Sequence, residues 1–338
     1  MYKQLLERKN VLVAGGAGFI GSHLCDELIK SANVICVDNF ITGSEENIDL
    51  LLQNPNFKFI RHDLTLPLDL EKFSELEIFK MRFQGIQEIY NLACPTSPKH
   101  YKNLPIETLL TNAEATRNLL DLAVKYQAKF LHASSSAIYG APTSERQTFA
   151  EDYWGYLDPV GPRSCYNEGK RFAESLVVNY GEHKGVSVRL ARIFNTYGPR
   201  MKLNDGRMIP DFIASAITAK TLTIYGSAEE RATYCYVSDM VDGLIKLQEQ
   251  DSGVIFNLGS LEQETIKEIA QIVINLTGAK VAIETAESLP YLSTQGLPDI
   301  TRAKEILGWF PLVPLEVGLK KTIDYFLAHK GALGLSKD

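Results

Sequence analysis

The sequence has no C-x-x-C pair and no H-x-x-x-H pair; its five cysteines and six histidines stand singly along 338 residues. That removes the zinc-ribbon, dithiol and helix-borne metal motifs, and no metal centre is expected. Cys25, Cys36, Cys94, Cys165 and Cys235 lie among apolar or small residues and read as buried, reduced thiols. No apolar run reaches the roughly 18 to 20 residues of a membrane span. The opening "MYKQLLERKNVLVAGG" has no signal-peptide core with a small-residue cleavage site, so a cytoplasmic location is expected. Excess positive charge is missing too, since 35 Lys and Arg against 41 Asp and Glu leave a net charge of −6. A nucleic-acid partner needs clustered cations to neutralise phosphates, and is not expected. With neither internal repeats nor low-complexity tracts, the chain reads as one large or two modest globular domains.

What is present is an alternation of short apolar runs with helical patterns, the mark of a parallel sheet with crossover helices. Strands are predicted at "NVLVAGG" (10–16), "NVICVDN" (33–39), "FKFIRHD" (57–63), "EIYNLA" (88–93), "AKFLHASS" (128–135) and "VSVRLARIFNTYG" (186–198). Helices are predicted over 23–30, 106–126 and 171–185, the last ended by Gly185. After Pro199 the elements shorten, with a brief strand at "FNLGS" (256–260) and a helix in "DITRAKEILGWFP" (299–311), capped by Asp299 and stopped by Gly308. The tail "GALGLSKD" (331–338) reads as frayed.

"VLVAGGAGFIGSHL" sets Gly15, Gly18 and Gly21 at three-residue intervals between a strand and a helix. Glycines there let the backbone turn tightly and approach a pyrophosphate, whose charge rests on the helix N-terminus. Asp38 ends the second strand, 20 residues beyond Gly18. A carboxylate at that point accepts hydrogen bonds from the adenosine ribose and repels a 2′-phosphate, so NAD is expected rather than NADP. Asp63, closing the third strand, is placed to receive the adenine amino group. The expected fold is α/β, a Rossmann-type doubly wound parallel sheet with a smaller C-terminal α+β lobe. Residues 1–198, with a return segment near 234–258, form the expected NAD-binding domain, and 199–330 the substrate lobe.

"CYNEGKR" puts Tyr166 and Lys170 on one helix face. A free tyrosine, with a pKa near 10, is a poor base at neutrality, and a neighbouring ammonium favours its phenolate. Such a tyrosine takes the proton of a sugar hydroxyl while the carbon gives a hydride to NAD. Between this pair and the glycine loop lies "ASSSAIYG" (133–140). Ser135 sits where a parallel sheet presents ligands, at the carboxyl end of a strand; Ser134 and Ser136 alternate away and read as structural.

Together these three features resemble the extended short-chain dehydrogenase/reductase superfamily, the NAD-dependent epimerases and dehydratases of nucleotide sugars. "NLACPTSPKHY" (91–101), "GPRSCYNEGKR" (161–171), "ARIFNTYGPRMKLNDGR" (191–207) and "YCYVSDMVDGL" (234–244) are similar to one branch, the UDP-glucuronate decarboxylases or UDP-xylose synthases. The likeness runs from about residue 8 to 311. It implies Ser135 as hydroxyl partner of the substrate, Tyr166 as base and Lys170 as its activator. Further cofactor contacts are implied at Phe19, Ile20, Asn39, Leu64, Leu92, Ala93 and Asn112. Substrate contacts are implied at Pro95, Ser97, Tyr101, Tyr225 and Arg231, with Asn195 and Arg200 around the diphosphate of a UDP-sugar. A homodimer packed through the helices of 106–126 and 167–184 is also implied.

The chain departs from that branch in four places. Ala137 stands where the decarboxylases carry a glutamate, which removes a group for positioning substrate or moving a proton at C5. Ala232 replaces an arginine expected before "YVSD", and Arg231, one place off register, reaches the diphosphate only if the loop bulges. Gly296-Leu297 replaces a basic pair before "PDI". Residues 67–88 are longer than usual and are expected to decorate the sheet edge. Decarboxylation of a nucleotide-linked glucuronate is the leading expectation; 4-epimerisation, which tolerates a small residue at 137, is the alternative. A dehydratase lacks its acid and base here, and a non-catalytic NAD-binding protein is disfavoured by the intact Ser135, Tyr166 and Lys170.

Overall fold

The computed structural model describes residues 8–251, 254–289, 291 and 295–331. The apolar runs become β1 (Asn10–Ala14), β2 (Asn33–Asp38), β3 (Phe57–Arg61), β4 (Glu88–Asn91), β5 (Lys129–Ser135), β6 (Val188–Ile193) and β7 (Ile255–Leu258). They form one sheet in the order β7-β6-β5-β4-β1-β2-β3, with every pairing parallel. The chain builds outward from β1 to β3, then returns to β4 on the other side of β1. Ligands of such sheets bind in the crevice where the order reverses, here between β1 and β4.

Val11, Val13, Val34 and Cys36 face one side of the sheet, Leu12, Ala14, Ile35 and Val37 the other, and all are fully buried. Burial on both faces is why these strands are continuous apolar runs rather than alternating ones. The longer helices are α1 (Phe19–Leu28), α2 (Thr116–Tyr126), α3 (Ser164–Lys184), α4 (Met208–Ile217), α5 (Val237–Glu249), α6 (Ile266–Thr277) and α7 (Leu315–Ala328). Leu119 and Leu120 of α2 and Val177 of α3 cover one face. Leu24 of α1 and Leu244 of α5 cover the other, in a core that continues through Phe212, Ile269 and Phe326 into the C-terminal lobe. That lobe carries two small strand pairs, Leu222–Tyr225 with Ile283–Ala286 and Arg231–Thr233 with Gln263–Thr265.

Several expectations need correction. The helix predicted over 171–185 starts at Ser164, and Gly185, left-handed at φ 70°, ends it. The pattern over 106–126 is a helix Pro105–Leu110, a π-turn Thr111–Ala115 and α2. Its ladder is contested by side chains, since Thr111 Oγ1 and Asn112 Nδ2 donate to the carbonyls of Glu107 and Thr108, at 2.7 and 2.8 Å. The run 186–198 splits into β6 and a short strand Thr196–Tyr197 paired with Cys235–Tyr236. Residues 67–88 do not decorate an edge: Leu70, Leu76, Phe79 and Met81 are buried in the same core as Leu12 and Ile89. Asn10 anchors the segment by donating to the carbonyls of Phe79 and Gly85, at 2.9 and 2.8 Å. Asp299 is not the cap of the late helix, which is Ile300, although its Oδ1 accepts from the Thr301 N–H at 2.9 Å. The tail 332–338 lies outside the described residues.

Candidate active site

A cavity of about 1360 Å³ opens over the carboxyl ends of the sheet and extends against α4 and the C-terminal lobe. Its first end is the glycine turn. Gly15 is left-handed at φ 76°, and a Cβ there would lie 2.8 Å from the backbone of Leu92 and Ala93, so β1 can pass the end of β4 only as glycine. A Cβ on Gly21 would lie 2.2 Å from the Gly15 carbonyl oxygen. Gly18 caps α1 without any side chain, and no acid stands in the first turn, which leaves the N-terminal N–H groups uncapped for an anion. Asp38, at the end of β2, accepts from the N–H groups of Ala17 at 3.1 Å and Phe40 at 2.8 Å. Burial raises its pKa, and those bonds oppose the rise. Phe19, Ile20, Asn39, Asp63, Leu64, Leu92 and Ala93 line the same end. Asp63 is partly occupied, because its Oδ1 accepts from the N–H and hydroxyl of Thr65 at 3.0 and 2.8 Å.

At the middle of the cavity β5 and α3 meet. Ser135, the last residue of β5, accepts from the Ala137 N–H at 3.1 Å. Burial pushes the Tyr166 phenol well above its usual range, and the Ser135 hydroxyl and the Arg163 charge pull it back. Lys170 donates to the Ala133 carbonyl at 2.8 Å, and burial lowers its pKa. The other serines are taken up elsewhere. Ser134 donates to Glu174 Oε1 at 2.6 Å, and Ser136 to Gln295 Oε1 at 3.3 Å. Tyr101 stacks on Tyr166 with ring centroids 5.4 Å apart, and Ala137 is buried in the same cluster with Cys165.

Toward the lobe, Pro95, Tyr101, Asn195, Arg200, Tyr225 and Arg231 line the wall. Arg200 is held by Asp26 of α1 at 2.6 Å. Arg231 lies in a regular antiparallel ladder opposite Thr265, with no bulge, and is exposed on the cavity wall beside Ala232. Two residues do not reach the wall. Ser97 is fully buried as the cap of a short helix, its hydroxyl 2.6 Å from His100 Nδ1. Asn112 is buried in the π-turn, and besides the Thr108 carbonyl it donates to Cys94 Sγ at 3.2 Å. Gly296 has no room for a side chain, since a Cβ would lie 2.3 Å from the Phe149 ring, and Leu297 pairs with Thr148. The lost basic pair is therefore a packing joint. Spacing in the sequence did not reveal Cys94, which is half-buried on the wall, or Arg163, whose charge acts on Tyr166. Both contacts are made only by the fold.

A family model described as the NAD dependent epimerase/dehydratase family matches residues 11–259. The chain belongs to that family. Its members are NAD-dependent enzymes, and the glycine cradle and Asp38 fit NAD as the cofactor of this one. UDP-glucuronic acid decarboxylase 1 of Danio rerio is 44% identical over 321 residues, 95% of this chain and 73% of that protein. UDP-glucuronic acid decarboxylase 3 of Arabidopsis thaliana is 45% identical over 312 residues, 91% and 86% of the two chains. The branch likeness read from the motifs therefore holds along most of the chain. Among solved structures, the UDP-glucuronic acid 4-epimerase of Bacillus cereus, in complex with UDP-glucuronic acid and NAD, matches with a TM-score of 0.81 at 27% identity, covering 94% of this chain and 99% of that one. UDP-glucose 4-epimerase of Thermotoga maritima matches with a TM-score of 0.82 at 27% identity, over 94% and 99%. Among the described residues no helix is long and apolar enough to cross a membrane.

Proposed function

We propose that this protein is a UDP-glucuronate decarboxylase that keeps its sugar bound while the C4 hydroxyl is oxidised, CO2 is lost and the ketone is reduced again. The observation that carries this is the convergence of Ser135, Tyr166 and Lys170 in one cavity whose far end is the glycine cradle and Asp38. Likeness to UDP-glucuronic acid decarboxylases at 43–45% identity supports the choice of sugar. Residues 1–198, with the segment near 234–258, hold the cofactor, and 199–330 hold the nucleotide sugar.

When bound, NAD supplies a hydride acceptor that returns what it takes. Tyr166 removes the proton of the C4 hydroxyl, and Ser135 holds the same oxygen in line with it. Lys170, one helical turn on, keeps a positive charge beneath the phenol and favours its ionised form. A ketone at C4 is β to the carboxylate, so the bond between C5 and the carboxylate carbon breaks with its electron pair taken up as an enolate. Protonation at C5 and reduction at C4 give a UDP-pentose.

A second reading is favoured by one observation, Ala137 in place of an acid beside Tyr166. In it the ketone turns over and is reduced from the other face, giving a UDP-uronate epimer. UDP-glucuronate labelled at C6 separates the two. Labelled CO2 with a UDP-pentose is the expected result, whereas UDP-galacturonate carrying the label establishes the second reading. The active form is a homodimer. Exposed Ile106, Leu109 and Leu110 on the helix 105–110, with exposed Phe172 on the adjoining α3, support a face for the second copy, and sedimentation of the purified protein at twice the chain mass tests it.

A further inference from the structure

Four cations on the cavity wall are engaged by neighbouring groups, and three more, Lys102, Lys202 and Arg231, stand exposed to solvent. Arg200 pairs with Asp26 at 2.6 Å, and Arg207 pairs with Asp205 at 3.4 Å while donating to Thr96 at 2.9 Å. Lys99 donates to the Asn204 carbonyl at 3.3 Å, and Lys170 to the Ala133 carbonyl at 2.8 Å. Arg163 differs from these. Among the described residues it has no carboxylate partner, and its Nε is shut off from solvent without a hydrogen-bond partner. A buried donor left unpaired is uncommon and asks for a reason.

Its position supplies one. Arg163 directly precedes α3, and its guanidinium carbon lies 5.9 Å from the centre of the Tyr101 ring. Tyr101 stacks on Tyr166, and Arg163 acts electrostatically on both phenols. Ala137 packs in the same cluster, so no acidic side chain at that place competes for the guanidinium. A guanidinium is planar, always charged, and shaped to take a carboxylate through two parallel N–H bonds.

We propose that Arg163 selects an acidic sugar, by binding the carboxylate carried on the carbon next to the one whose hydroxyl faces Tyr166. This rests on the nucleotide-uronate reading above and adds the residue that enforces it. A neutral hexose in the same pose leaves the guanidinium unpaired, whereas a uronate satisfies it. Arg200 and Arg207 remain bound to their own acids in either case.

The test compares dissociation constants of UDP-glucuronate and UDP-glucose for the NAD-loaded protein, by calorimetry, in the parent, R163M and R163K. The parent should bind the uronate at least about tenfold more tightly than the neutral sugar. R163M should lose about 10- to 100-fold in uronate affinity, the range of a charge-assisted hydrogen bond. Its UDP-glucose affinity should stay within about threefold of the parent, and R163K should retain part of the preference. If R163M shows no cooperative melting transition, R163K decides alone, because a purely structural arginine leaves the ratio of the two affinities at the parental value. A parental ratio in the variants overturns the assignment, as does a parent that binds both sugars equally or neither. A parent that discriminates through Arg163 yet forms neither CO2 nor UDP-galacturonate upholds the assignment and refutes the catalytic reading instead.

Discussion

Replacing Glu174 with alanine tests how firmly the strand that ends in Ser135 is tied to the helix that carries Tyr166 and Lys170. Glu174 lies one turn beyond Lys170 on α3, and its carboxylate accepts from Arg192 Nε at 3.0 Å, Arg192 Nη2 at 2.8 Å and the Ser134 hydroxyl at 2.6 Å. The Arg192 and Glu174 side chains are 8% and 11% exposed. Burial lowers the pKa of the Arg192 guanidinium, and the Glu174 carboxylate more than reverses that. Without Glu174 the arginine keeps only the Tyr139 hydroxyl at 2.9 Å and the Glu151 carbonyl at 2.8 Å, neither of which carries a compensating charge. Removing one member of a buried pair costs about 3–5 kcal/mol. Taking about 4 kcal/mol, and an unfolding entropy of about 2.1 cal/mol/K per residue, Tm should fall by roughly 6 °C. Equilibrium unfolding in urea gives the free energy directly. The double variant Glu174→Met/Arg192→Met removes both charges, and should return to within about 2 kcal/mol of the parent. A loss under 1 kcal/mol for Glu174→Ala alone would refute the reasoning, since it would mean that water reaches the pair.

Four further outcomes follow from the geometry. Gly21→Ala places a Cβ 2.2 Å from fixed backbone, whereas at Gly18 the nearest atom is 3.1 Å away; urea unfolding should show a loss of about 3 kcal/mol for the first and under 1 kcal/mol for the second, and equal losses contradict the steric account. Asp38→Ala should weaken NAD binding about tenfold or more and narrow the preference for NAD over NADP in a fluorescence titration; equal affinity of the parent for both cofactors removes the basis for the assignment. Tyr166→Phe and Lys170→Met should each lower turnover of the true substrate by about 10²- to 10⁴-fold with NAD affinity kept, and full activity of Tyr166→Phe would leave the tyrosine only a packing role. Asp211, whose pKa burial and the neighbouring Asp205 push up to about 6, binds its proton more tightly folded than unfolded. The stability it confers is complete below about pH 4 and is lost as the pH rises through 6. Asp211→Asn should therefore gain at most about 3 kcal/mol at pH 7.5 and nothing near pH 4, and an equal gain at both pH values rules out titration as the cause.

The sheet strands were legible because apolar residues fall on both of their faces, most fully in β1 and β2, as a covered parallel sheet requires. Gly185 and Gly308 marked helix ends because both are left-handed, at φ 70° and 60°. What the sequence hid was set by longer-range or competing contacts. The π-turn at Thr111–Ala115 arises where hydroxyl and amide side chains bond to preceding carbonyls, which periodicity does not register. Residues 67–88 read as an edge decoration because they are longer than the link usual in the decarboxylases, yet short 3₁₀ turns bury Leu70, Leu76 and Phe79. At the site, Gly15, Asp38, Tyr166 and Lys170 could be found from local spacing. Ser97 and Asn112 were implied only by the family resemblance, and the fold spends them on a helix cap and on the π-turn. Arg163 lies inside the motif 161–171, but its contact with Tyr101 reaches across to the short helix Pro98–Asn103, which spacing along the chain does not reveal.

Position 137 links these levels. Alanine there is 7% exposed and packed against Tyr101, Cys165 and Tyr166. A carboxylate at that place would be buried beside a phenol that burial already holds in its neutral form, and a second negative charge would oppose the phenolate further. It would also compete for the Arg163 guanidinium. Alanine therefore eases proton removal at C4 and leaves the arginine open to a substrate carboxylate, while giving nothing that could deliver a proton at C5. Breaking the bond to the carboxylate carbon needs mainly the ketone as an electron sink, so that step survives the loss of the acid, and protonation of the enolate becomes the slow one. A tightly paired carboxylate also leaves less readily, because its charge must move from the guanidinium toward C4. The first effect lengthens the life of the enolate after CO2 has left; only the second slows CO2 release, and the longer the 4-keto uronate persists before it the more turnovers can end in an epimer rather than a pentose.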